Sequence, residues 1–398
     1  HHLLTAFPVP ILFRRRCSYV LRQSFVAVPL FGLLLSGIGC SVSGSLPGWL
    51  GGNASIVPDA ARYFLIYSLS LPFLQLNFLS GGMLRCSGNM RIPSMLSILM
   101  CVLDVVFNIL LIFPSRELRF GGWTVSLPGA DMGVAGAAVA TVVSQAVSGV
   151  SCLLYMRKKF DILHIRKDEW KLESQYVKNL CSMGIPMGLQ YSVTAIGSVI
   201  LQSAVNSLGS IAVASMTAAS RIGGFFACPF DSLGATMATF AGQNMGAGRT
   251  DRIRQGIRSA NMIGAVYAVV SFCIIALAGG KLALLFVDGS EEAILSNVKL
   301  FLLCNSIFYF PLSLVNNIRF LIQGMGYSML AILSGVSEMI ARALAGFILV
   351  PVFGFAAVGF ASPLAWVMAD VFLIIAYYKV MERTEKLFKE GRQLEKVE

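Results

Sequence analysis

Residues 94–104 read SMLSILMCVLD and residues 328–338 read SMLAILSGVSE; six of the eleven positions are identical. Each copy ends in a carboxylate, Asp104 or Glu338, set in an otherwise apolar run. A segment written twice at an offset of 234 asks whether the whole chain is duplicated, and collinear matches answer it. Arg22 matches Arg258, Pro72 matches Pro311, Gly88 matches Gly326, and GVAGAAVA (133–140) matches GFAAVGFA (354–361). The offset stays between 234 and 239 until the last pair, where it falls to 221, so the halves differ in length mainly between residues 104 and 133. Repeats on this scale are characteristic of transporters, which build two halves around a central site.

Composition names the solvent. Of 398 residues, 56% are hydrophobic and 13% charged, about half the charged share of a soluble domain. Apolar runs of about 20 residues, long enough to cross a hydrocarbon core of roughly 30 Å, recur near 22–44, 60–84, 93–113, 133–156, 177–206, 211–241, 258–285, 294–322, 328–351 and 356–380. The runs are continuous rather than alternating, so ten helices are expected in an all-α polytopic membrane protein. The net charge of +11 is a topology signal and not a nucleic-acid patch. Of 31 lysines and arginines, 23 fall before the first span, after the second, fourth and sixth, and in the tail. That asymmetry places both ends of this chain in the cytoplasm and the protein in the plasma (inner) membrane. Each copy of the repeat then starts on the cytoplasmic side, so the repeat is parallel.

Several functions are argued against. No glycine-rich Walker loop is present, so neither ATP hydrolysis nor an ATP-binding subunit is implied. The three histidines, His1, His2 and His164, lie outside the spans, and the nine cysteines are scattered without CxxC spacing. No metal site, catalytic residue or cofactor is expected. An intramembrane enzyme would need a constellation such as HExxH, which is missing.

Four stretches carry a family resemblance: LRCSGN (84–89), GVAGAAVATVVSQ (133–145), GIPMGLQ (184–190) and MATFAGQNMGAGRTDRIRQG (237–256). Together they resemble the multidrug and toxic compound extrusion (MATE) family over about residues 15–398. The resemblance implies a two-lobed bundle of twelve helices, monomeric, exporting amphipathic organic cations through a central cleft against H⁺ or Na⁺. Spans 1–4 match spans 7–10, and spans 5 and 6 lack partners, so ten of the twelve helices are expected here, and two more before residue 1. Transport by the ten alone is not expected. The expected organisation is a non-family segment 1–13, a partial first lobe 14–160, a linker 161–176, a second lobe 177–382 and a cytoplasmic tail 383–398. The alternative is a flippase for lipid-linked oligosaccharides, which would need several cavity cations; the buried bases are Arg221, Arg319 and Arg342.

Ionisable residues at membrane depth are costly and mark function. Cys101, Asp104 and Asn108 share one helical face, with no base within a turn of Asp104. Asp104 therefore reads as the coupling residue, with Asn108 and Asn77 beside it, against the alternative of an acid bonded only for structure. The family resemblance implies an Asn and an Asp one turn apart in the first lobe; here their order is reversed. Asp231, beside Pro229, is a second coupling candidate. In the second lobe the sodium-coupled branch implies carboxylates near Thr194 and near 314–317. Neither is present, and Gln190, Thr194, Asn316, Asn317 and Asp370 are left as a possible polar site. Glu338 and Arg342, at i and i+4, are expected to form a structural ion pair. The run GQNMGAG (242–248) reads as a packing and turn device.

Overall fold

A computed structural model describes residues 11–49, 56–120, 123–159 and 174–394. The expected segment 1–13 lies outside the described residues except for 11–13, as does most of the expected linker 161–176. The helices are α1 (Ile11–Val42), the single turn α2 (Leu46–Trp49), α3 (Val57–Cys86), α4 (Arg91–Ile112), α5 (Gly133–Lys159), α6 (Ser174–Ser207), α7 (Ser210–Gly246), α8 (Thr250–Ala283), α9 (Glu292–Ile307), α10 (Tyr309–Gly324), α11 (Ser328–Leu344), α12 (Val350–Phe353) and α13 (Phe355–Leu394). Nine helical segments among the described residues are long and apolar enough to span a membrane, and ten when the bent pair α9–α10 counts as one. The ten expected spans are all found.

The one span that differs in form is 294–322, expected as a single helix. It is two helices bent by 52° at Phe308. Pro311 accounts for the break, because it has no N–H for the carbonyl four residues earlier, that of Ile307, and its ring presses against that carbonyl. A second irregularity follows α11: Ala345–Leu349 is a π-helical turn leading into α12. The sequence reading did not anticipate the two-stranded antiparallel hairpin, β1 (Pro114–Phe120) and β2 (Trp123–Ala130), between α4 and α5. It occupies the interval where the repeat offset changes.

The chain divides into two compact units, His1–Leu180 and Cys181–Glu398. In the first, α3 packs on α1 and α5, and α4 packs on α5. In the second, α9 and α10 pack on α8 and α13, and α11 packs on α13. These are the same pairs once each span is replaced by its repeat partner. The backbone repeats too. Gly88 and Gly326 both take positive φ (85° and 92°), where a side chain is strained. Each closes a helix end in the same way, Asn89 N–H donating to Leu84 O and Tyr327 N–H to Ile322 O, the six-to-one bond of a Schellman motif. The GQNMGAG run ends α7 identically, with Gly248 at φ 63° and Arg249 N–H donating to Asn244 O. The turn reading of that motif holds.

The second unit has two apolar cores. One gathers Phe226, Phe230, Leu302, Tyr309 and Val358. The other gathers Ile257, Ile318, Ile322, Ala369 and Leu373. The first unit has a small core of Leu84, Cys152 and Met156.

Candidate functional site

Five helices of the second unit converge on one polar cluster, and small residues set the distances. On α10, Asn316, Arg319 and Gln323 stand at i, i+3 and i+7, so they share a face; all three are buried. Asn316 Nδ2 donates to Asp231 Oδ1 of α7 at 2.8 Å. Gly234, one turn along α7, allows this approach: a Cβ there would meet the Phe320 ring at 2.6 Å and Asn316 Cβ at 3.2 Å. Gln323 Nε2 donates to Gln190 Oε1 of α6 at 3.2 Å. Gly335 of α11 has the same role toward α6, with Gln190 O at 3.1 Å and Thr194 Oγ1 at 3.3 Å from the position of its missing Cβ.

The centre of the cluster is Glu338 of α11, 3% exposed. Arg319 Nη2 of α10 pairs with its Oε1, and Arg342 Nη1 pairs with its Oε2 at 3.2 Å. Each oxygen of one carboxylate thus faces a guanidinium group, hydrogen-bonded to Arg319 and in charge contact with Arg342, whose Nη1 makes no hydrogen bond. Arg319 Nε also donates to Ser334 Oγ at 3.1 Å. Asp370 of α13 is 5% exposed, and its Oδ1 is buried without a hydrogen-bond partner. Thr194 Oγ1 and Gln323 Oε1 are likewise buried and unpartnered.

Most of the residues read from the sequence as separate candidates therefore meet in one place. Gln190, Thr194, Asp231, Asn316, Glu338, Arg342 and Asp370 belong to it. Asn317 does not: turned away on α10, it donates to Asn261 Oδ1 of α8 at 3.0 Å and to Ser313 Oγ at 3.3 Å. The Glu338–Arg342 pair is present, but the expectation omitted its second arginine, Arg319, fifteen to nineteen residues from its partners Ser334 and Glu338. No local spacing signals that pair. Arg221 is exposed and lines an open groove of about 620 Å³ with Thr217 and Phe286.

In the first unit, Asp104 and Asn108 are half-buried on α4, and Asp104 Oδ1 is buried without a hydrogen-bond partner. Asn77 of α3 does not bond to Asp104. It accepts from Ser148 Oγ of α5 at 3.1 Å and donates to Met100 Sδ at 3.5 Å, one turn before Asp104. Gly149 lets α5 come this close to Asn77. No group of three or more metal-ligating side chains occurs among the described residues.

A family model, MatE, matches residues 14–110 and 186–348. The chain belongs to the MatE family. The second match runs from before Gln190 to beyond Arg342, so it takes in the cluster apart from Asp370. The chain is 25% identical over 265 residues to "Probable multidrug resistance protein YoeA" of Bacillus subtilis, covering 66% of this chain and 55% of that protein. It is 30% identical over 204 residues to "Probable multidrug resistance protein YpnP" of the same organism, covering 50% and 41%. The chain thus spans about half the length of these curated relatives. Its fold is similar to a solved "outward-facing conformation of a multidrug resistance MATE family transporter", with a TM-score of 0.82 at 18% identity, over 93% of this chain and 80% of that one.

Proposed function

We propose that this MatE-family chain works in multidrug export, as a cation-coupled antiporter that expels amphipathic organic cations across the plasma membrane, with H⁺ as the coupling ion. One observation carries the reading. Among the described residues, each unit has, inside an apolar helix, one carboxylate with a buried oxygen that lacks a hydrogen-bond partner: Asp104 in the first and Asp370 in the second. A carboxyl group held this way at membrane depth is a place for a proton to bind and leave. The printed names of the relatives from Bacillus subtilis, and of the multidrug export protein MepA of Staphylococcus haemolyticus (22% identical over 311 residues), support export of drug-like molecules. Nothing comparable favours the flippase reading: Arg319 is hydrogen-bonded to Glu338, and Arg342 Nη1 lies 3.2 Å from the same carboxylate.

In this reading Asp104 is the coupling residue of the first lobe (14–160), with Asn108 on its helix face. Asp231 and Asp370 supply the acids of the second lobe (177–382). Both ends of the chain lie in the cytoplasm. The test is efflux of a fluorescent organic cation from cells expressing the twelve-helix protein that the family resemblance implies, under an imposed proton or sodium gradient in turn. Asp104→Asn should abolish proton-driven efflux. Undiminished efflux in that variant, or efflux driven by sodium alone, would sink the reading.

A further inference from the structure

The cluster in the second unit contains three acids, Asp231, Glu338 and Asp370, and two bases, Arg319 and Arg342. An empty cation site in a helix bundle needs carboxylate oxygens free to coordinate, because a bare ion loses its hydration on entry. Here three of the six are taken. Glu338 gives one to Arg319 and one to Arg342, and Asp231 gives one to Asn316. Arg319 is held in its place by a third contact, Nε to Ser334 Oγ, and Ser334 is itself fixed by donating to Ala331 O at 2.8 Å. Of the rest, Asp370 Oδ1 is buried and unpartnered.

We propose that Arg319 is the resident cation of this site: its guanidinium takes the place of a sodium ion, so the second unit binds no sodium until Arg319 is removed. Glu338 touches it, and Asp231 is tied to the same helix through Asn316, three residues before Arg319 on α10. Asp370 is placed by the packing of α13 on α10, where Ala369 and Leu373 join Ile318 and Ile322 in one core. A guanidinium cannot lose its proton in a protein and cannot leave its helix. It therefore supplies a permanent positive charge, where sodium would supply one that comes and goes. Without it, Glu338 would keep Arg342 alone, and Asp370 Oδ1, Thr194 Oγ1 and Gln323 Oε1, buried without partners in the same unit, are the oxygens a hard cation would draw on.

The inference deepens the exporter reading and rests on it only for the meaning of the site, since binding can be measured without transport. The experiment is thermal unfolding of the purified protein in detergent, in sodium chloride against choline chloride at equal ionic strength. The unmodified protein should show no sodium-specific protection. Arg319→Gln should gain a sodium-specific rise in Tm of a few degrees, and Arg319→Gln with Asp370→Asn should lose it. Arg319→Lys, which keeps the charge, should gain nothing. Sodium-specific protection of the unmodified protein that Asp370→Asn removes would overturn the proposal. So would an Arg319→Gln variant that folds and gains none. Should Arg319→Gln fail to fold, the unmodified protein decides alone, protection by sodium refuting the proposal and its absence supporting it. Failure of the efflux test would leave this result untouched, so the two readings fall separately.

Discussion

Asn316 and Asp231 are joined across α10 and α7 by a 2.8 Å hydrogen bond, and the residue that makes it possible is neither of them. Gly234, three positions from Asp231, sits against the Phe320 ring and Asn316 with no room for a Cβ. Gly234→Val should push α7 off α10 and part the pair. If Asp231 works in coupling, this variant should lose as much drug efflux as Asp231→Asn while keeping every charged residue. Full efflux in Gly234→Val would show that the bond is not needed.

Glu338 pairs with two guanidinium groups, and all three side chains are buried. Truncating the shared partner leaves two buried charges uncompensated, and breaking one such pair costs about 3–5 kcal/mol. Glu338→Gln should therefore lower stability by at least that much, and Arg342→Gln by less, because Arg319 still answers Glu338. Thermal unfolding in detergent checks the order; equal losses would mean that the two arginines do not share the acid.

The duplicated segment shows how far the sequence could be read. Helix number followed from apolar length, a local sum along the chain, and the repeat from collinear residue matches. The matched glycines Gly88 and Gly326 even share a positive φ. The site was legible only in part. Glu338 and Arg342 are one turn apart and visible as a pair, whereas Arg319 reaches the same carboxylate from another helix. Asn316 and Asn317 looked equivalent in the sequence, but a 100° turn sends one to Asp231 and the other to Asn261. Inter-helix partners depend on how deep the glycines let helices approach, and no single-residue pattern records that depth.

Those repeat glycines make their own prediction. Alanine at Gly88 or Gly326 has space for its methyl or only Met183 Cε nearby, so the penalty comes from φ alone and should be about 1 kcal/mol each. Alanine at Gly184, within α6 and with nothing within 4 Å of its Cβ, should be neutral or mildly stabilising. Chemical unfolding of the three variants separates the cases; equal effects at all three would show that backbone strain is not what fixes the loops.

The hairpin gives the last prediction. In the second half of the repeat, α11 passes to α13 through the π-helical turn, the short α12 and Gly354, with no strands. The first half has β1 and β2 in the same interval, and the chain ends that enter and leave them are already joined. Asp131 N–H donates to Phe113 O at 3.2 Å, and Met132 N–H donates to Leu111 O at 2.9 Å. Gly136 brings α5 against the Leu111 carbonyl, an approach too close for a side chain. The turn from α4 to α5 is thus closed beneath the hairpin, and β1–β2 is an insertion carried on a finished connection. Replacing residues 114–130 with two or three glycine and serine residues should leave the membrane fold intact, with Tm within a few degrees of the parent. A shortened loop costs little in closure entropy. If the variant fails to insert or unfolds at much lower temperature, the hairpin is part of the first unit's fold and the repeat pairing between residues 104 and 133 has to be redrawn.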